Sequence, residues 1–594
     1  MRKLNIAIVL LTGVMVFSGC SKLKKMIDLA KQQDLTVTPN PLELHGNEVK
    51  FEMSAVIPQK MLATGYVYTL RTFYQYGNEK ANLEDLTFKA EDFPNSSTTT
   101  SRLNKEYTLQ YQDGMESGDL KIQGVASDPR RGTNLETPDQ PTVAVGLIMT
   151  SRLAQNIYET AYAAPGYTDN EELIATNIEF FFDQGRSGLK SSEYRSDRGK
   201  QFTAFIAEKN ATKTVTITGT HSPEGAERIN SKLSSDRAAR IESFYRANMK
   251  KYDYKGMADE INFVLKPVVE DWGLFKAALN DDAGVTDEQK SEILSIVNGG
   301  GTFEDKEKTL QKLASYSKIL KDIYPPLRAA KTEILTILEK KPNSEIAVLA
   351  KQIAGGTISA DSLSEAELLF AGTLTPSLSE KEAIYKAATK KNPSYTAHNN
   401  LGTVYLEMAK AASSDGDKNS YIDQALAQLD IASNKNKGAE VLANQASAYL
   451  MQGNNDKAYA TLGEAEGASP SREVTSKVKA MKGGLEILQG EYDTALASMA
   501  GANESADLLF NRGLAMVLKK EYDNAKSAFN DSLVKDSSYA LAHYGNAIAN
   551  ARQRNQEGMI ASLKSAVSAD PSLKEKAIVD LEFNNFANAV QAAL

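Results

Sequence analysis

The 594-residue chain has one cysteine, one tryptophan and four histidines. A single cysteine, Cys20, excludes an internal disulfide and any multi-cysteine zinc or iron–sulfur site. His45, His221, His398 and His543 lie too far apart for a metal motif, so no metal ligands are assigned. An excess of basic charge is also missing. The 68 Lys and Arg residues face 76 Asp and Glu residues, a net charge of −8, which argues against a nucleic-acid partner. There is no P-loop, no Gly-x-Ser-x-Gly elbow and no His-Glu-x-x-His pair. The paired acids Glu171-Glu172 and Asp281-Asp282 are explained by solvated helix ends. No catalytic residue and no cofactor is therefore assigned, and the chain reads as a binding protein rather than an enzyme. The 42% apolar content suits folded domains, and the length allows about four modules.

What is present begins at the N-terminus. Arg2 and Lys3 precede an apolar run from Ile6 to Phe17, and Ser18-Gly19-Cys20 follows. This is the layout of a signal peptide, too short for a comfortable membrane span. Phe17-Ser-Gly-Cys20 resembles the lipobox of bacterial lipoproteins. The resemblance implies removal of residues 1–19, acylation of Cys20 and a lipid anchor for the mature chain. Ser21, where aspartate is absent, then implies the outer membrane, and the lysines at 22, 24 and 25 favour its periplasmic side. Residues 20–33 are expected to be a lipidated tether.

From 34 to 165 the pattern is strand-like. Leu35, Val37, Leu42, Leu44, Val49, Phe51 and Met53 alternate with polar residues, and turn signals such as Pro39-Asn-Pro41 and Gln112-Asp-Gly114 punctuate the run. The expectation is an immunoglobulin-like β-sandwich. A second module spans 170–340. It has a buried strand at Asn177–Asp183, a helix over 191–208, an alternating strand at Thr214–Gly219, a loop, and a helix from about 226 to 248. The order predicts an α/β sandwich. A helical insertion is expected over about 250–325, with Trp272 as a packing anchor and Gly299-Gly-Gly301 as a turn, before a last strand from Ala330 to Leu338.

Gly219-Thr-His-Ser-Pro-Glu-Gly225, followed by Asn230, Leu233-Ser234 and Arg237-Ala238, resembles the C-terminal domain of OmpA-like proteins. That family binds the stem peptide of peptidoglycan. An aspartate holds the ligand's ammonium and an arginine its carboxylate, a charge-assisted pair. Arg237 falls at the arginine position and Asn230 within the motif, while Ser222 replaces the aspartate. Serine brings no counter-charge. Glu224 and Asp236 are the nearby acids that would have to substitute for it.

After a helical linker over 341–377, residues 378–594 are helical and alanine-rich. Small residues recur at Gly402, Ala446, Gly483, Gly513 and Ala547, at intervals of 44, 37, 30 and 34. Ala458, Ala495 and Ala525 each stand twelve residues after one of them. The spacing resembles tetratricopeptide repeats, about five of them, closed by a capping helix over 572–594. The resemblance implies an α-solenoid with a concave groove for peptides or protein subunits. On its inner helices Asn399, Asn400, Asn444 and Asn511 would clamp a peptide backbone.

The expected fold class is thus multidomain α+β: a β-sandwich, an OmpA-like α/β sandwich with a helical insertion, and a tetratricopeptide α-solenoid. The expected partners are the outer membrane through the lipid, peptidoglycan, and outer-membrane or periplasmic proteins through the repeats. The function that uses every module is a lipid-anchored scaffold, an accessory subunit of an outer-membrane complex. A plain peptidoglycan tether is the alternative, and it leaves the repeats unused.

Overall fold

The computed structural model describes residues 21–254, 256–268 and 272–594. Cys20 and the expected signal peptide over 1–19 lie outside the described residues. The described residues form two compact units, one of 21–167 with 347–594 and one within 168–346. No helix among the described residues is long and apolar enough to cross a membrane.

In the first unit, two sheets share one core. One sheet joins Asp34–Thr38, Glu48–Ile57, Leu42–His45 and Leu147–Ile148, with Ser101–Gln110 also paired to Glu48–Ile57. The other is built on the pair Val67–Tyr76 and Asp119–Asp128. Alternation puts Val49, Phe51 and Met53 inward from the first sheet, and Leu70, Leu120 and Ile122 inward from the second.

The expected tether is instead a helix over 21–30. Leu23, Met26, Ile27 and Ala30 recur at three- and four-residue spacing, so one face is apolar, and it is buried in the sandwich core. Strand structure also stops short of 165. Residues 154–166 belong to no sheet or helix.

The rest of the first unit is helical and consistent with a tetratricopeptide solenoid. Five hairpins follow one another: 395–411 with 415–435, 439–451 with 455–467, 472–489 with 492–499, 506–518 with 522–535, and 540–552 with 556–569. The small residues sit where the hairpins close. A Cβ on Gly402 would stand 2.8 Å from Leu429, and one on Gly513 2.6 Å from Phe529. Beyond the fifth hairpin, Phe583 is buried against Tyr544 and helps close the core. The region expected to be a linker holds the helices Asn343–Ala354 and Glu365–Ala371.

The sandwich and the repeats were expected to be separate modules, but they form one unit. Gly46 and Gly490, both with positive φ, bring a sandwich turn against a repeat turn. A Cβ on Gly46 would meet the Gln489 carbonyl oxygen at 2.5 Å. Arg552 bonds Glu43 of the sandwich at 2.6 Å and Glu582 at 2.6 and 2.9 Å. Thr150 bonds Glu582 in turn.

The second unit has a four-stranded sheet in the order Leu173–Phe181, Ala329–Ile337, Thr212–Gly219, Asn262–Pro267. The edge strand Asn262–Pro267 runs parallel to Thr212–Gly219 inside the stretch expected to be a helical insertion. Six residues, exposed or only partly buried, make too short a pattern to separate from a loop in sequence. The helical part is confined to about 272–327, where Trp272 packs on Phe275 and Phe303. The expected helix 191–208 is broken at Ser196, whose side chain caps a new helix by accepting from Gly199 N.

Candidate functional sites

The loop after Thr212–Gly219 and the helix Glu227–Met249 carry Ser222, Asn230 and Arg237. The structure brings them together around a pocket of about 260 Å³ that Gln184, His221, Glu224 and Leu233 also line. Arg237 is only 1% exposed. Its guanidinium donates to three main-chain carbonyls, those of Thr220 at 2.6 Å, Arg186 at 3.1 Å and Asp183 at 3.3 Å. It thereby ties the 183–186 turn to the 220 loop. Burial, with the charge of Arg328 nearby, pulls it down to about 10. It therefore stays charged at neutral pH.

Arg328 is the residue that sequence reasoning missed. Its Nε donates to Ser222 Oγ at 3.0 Å and to Glu224 Oε1 at 2.8 Å, and its Nη2 lies 2.6 Å from the same carboxylate oxygen. A cation from the chain itself thus lies against Ser222 and Glu224 in this loop. Glu224 is committed to that cation, and Asp236 is exposed on the helix surface. Asn230 donates to Gly225 O at 3.4 Å and braces the loop. No local pattern marks Arg328, because it reaches the loop from more than a hundred residues away.

The second constellation lies inside the first unit. From the 3-10 turn Thr150–Leu153 the chain continues as a strap: residues 154–163 run extended along the inner helices of the repeats, in the direction opposite to the repeat order. Asn511 accepts from Gln155 N at 2.8 Å and donates to Gln155 O at 2.7 Å. Asn444 does the same to Ala161, at 2.8 and 2.7 Å, and Asn400 to Ala163, at 2.8 and 3.0 Å. Asn399 adds a bond to Ala161 O at 3.0 Å and bonds to Asn400 and Asn444 as well. A carboxamide that donates and accepts on one residue copies what a neighbouring strand would offer.

All four asparagines are buried, and the strap satisfies them. Lys410 and Lys477 donate to the carbonyls of Tyr158 and Thr160, both at 2.8 Å. Gly484 makes room, since a Cβ there would stand 2.8 Å from Gln155 O. Leu153 and Ile157 join the core of the C-terminal repeats, and Ala161 that of the 439–485 repeats. Glu407 accepts from Tyr162 OH at 2.7 Å. Burial raises the Glu159 carboxyl against the pull of Lys477 and Lys410.

A signal for this site exists in sequence. Asn400, Asn444 and Asn511 each stand two residues before a small residue of the repeat, at Gly402, Ala446 and Gly513. What they hold is not marked at all.

No protein-family model matches the chain, and no curated protein does either. Solved structures similar to it are tetratricopeptide repeat proteins. YrrB, described as a TPR protein with an unusual peptide-binding site, is 20% identical over 32% of this chain and 92% of its own, with a TM-score of 0.25. The Pseudomonas aeruginosa pilF protein is 16% identical over 42% and 100%, with a TM-score of 0.29. A repeat protein from Parabacteroides merdae is 16% identical over 42% and 97%, with a TM-score of 0.27.

Proposed function

We propose that the chain is a lipid-anchored scaffold at the periplasmic face of the outer membrane, an accessory subunit that binds partner proteins. The observation that carries the scaffold is the first unit. Five stacked hairpins are joined to a β-sandwich through a partly buried Glu43–Arg552–Glu582 network and a threaded strap. The anchor rests on Cys20 and the residues before it.

The OmpA-like reading of the second unit rests on its motif. Within that reading we favour a partner protein over the cell wall. Arg328 against Ser222 and Glu224 would repel a ligand's ammonium, and three of Arg237's donors are already used on carbonyls. The test is sedimentation with purified sacculi of the wild type and of Arg328→Gln, which removes the resident cation. Neither protein is expected to sediment. Sedimentation of the wild type, lost in Arg237→Ala, would restore the tether reading. Affinity purification of the full-length protein from detergent-solubilised outer membrane, read by mass spectrometry, tests the scaffold. Stoichiometric partners are expected, and recovery of the chain alone would count against it.

A further inference from the structure

We infer that the concave groove of the repeats is a peptide-binding site whose resident ligand is the chain's own segment 153–163, and that this strap closes the groove to other peptides. The inference stands on the groove alone and is independent of any membrane anchor or partner.

Three observations point the same way. Asn400, Asn444 and Asn511 each pair with both main-chain groups of one strap residue, so what they recognise is extended backbone and not a side chain. Gly484 is bare where the strap's Gln155 carbonyl comes closest. Side chains of the strap are held as well: Tyr162 OH donates to Glu407, and no residue of 153–163 is exposed. Ala161 and Ala163, two apart as on one face of a strand, are each 2% exposed, and Ile157 is buried further along. The ligand class is therefore an extended segment with small residues at two alternate positions flanking a tyrosine, and an apolar residue four before the first. Among surfaces of the unit, this one is spent inside the chain, so partner proteins reach the repeats elsewhere.

Covalent linkage gives the strap an advantage that a free peptide lacks. Its effective concentration at the groove is about millimolar or higher, and a free copy must compete against that.

The probe is a fluorescent synthetic peptide of residues 152–166, titrated by anisotropy against the full chain from residue 21. In the strap variant Ala161→Glu with Ala163→Glu, the groove is expected to be vacated and to bind the peptide about tenfold or more tightly than the wild type does. Adding Asn444→Ala to that variant is expected to abolish the gain. Equal binding by wild type and strap variant would overturn the inference, as would a folded strap variant that does not bind. Hydrogen exchange on the wild type decides the matter even where the variant does not fold. The amides of Gln155, Ala161 and Ala163 are expected to exchange as slowly as those of the inner helices. Exchange at the rate of an exposed loop would mean that the strap is not a ligand.

Discussion

Asn444 lies deep in the groove and bonds Ala161 N, Ala161 O, the Asn399 side chain and Thr403 Oγ1 at once. Replacing it with alanine takes the partner from Ala161 N and from Asn399 Oδ1, and a buried group left unsatisfied costs roughly 1–3 kcal/mol. Asn444→Ala is expected to lose about that much stability in urea denaturation, with the change in exchange protection confined to the strap and its neighbours. Gly484→Ala tests the same site by bulk instead of by bonding. The added methyl meets the Gln155 carbonyl, so a loss of about 1–3 kcal/mol is expected, against a gain of about 0.5–1 kcal/mol for Gly463→Ala, inside the helix Asn455–Gly467 with nothing within 4 Å. Equal effects for the two glycines would contradict the close approach of the strap.

At the scale of elements, the sandwich is held to the last repeats through Arg552. Glu43 is opposed by burial, but the hydrogen bond to His45 and the charge of Arg552 outweigh it and lower it from 4.5 to about 2. A carboxylate whose folded value is lowered contributes stability that is complete above its unfolded value and is lost as pH falls through the folded one. The window for Glu43 is therefore pH 4.5 down to about 2. Glu582 runs the other way, because burial pushes it up. Its contribution changes above 4.5, so the acid limb belongs to Glu43. Stability of the wild type is expected to fall by about 3 kcal/mol across that window beyond what Glu43→Gln loses, measured by thermal unfolding at stepped pH. Parallel pH profiles for the two proteins would remove Glu43 from the interface energetics.

For the whole molecule, chain order and spatial order differ. Residues 168–346 form a unit inserted between the strap and the repeats that bind it. Truncation after residue 375 therefore removes more than a partner-binding module. It strips residues 153–163 of every hydrogen bond from the asparagines and exposes Leu153, Ile157 and Ala161. Limited proteolysis is expected to cut the truncated protein within 153–167 and to spare that stretch in the full chain. A strap equally resistant in both would show that the sandwich, not the groove, orders it. The same experiment bears on how such a truncation is used to assign partners, since loss of function could follow from the released strap as well as from the absent repeats.

What this sequence determined by itself is whatever repeats at short range. Helix and strand periods, the recurring small residues from Gly402 to Ala547, and the asparagines two places ahead of three of them follow from the geometry of a helical turn and a hairpin. The apolar spacing of Leu23, Met26, Ile27 and Ala30 stands in the sequence too, although residues 20–33 were expected to be a tether. Tertiary structure alone decided which distant groups meet. The strap has no period of its own, and its partner Asn444 lies 283 residues from Ala161. Arg328 enters the Ser222 pocket from 106 residues away. Hydrogen bonds and charges act over a few ångströms in space, whatever the separation along the chain. Thus the residue types of both sites could be read in advance, while their occupants, a strap in one and an arginine in the other, came only with the fold.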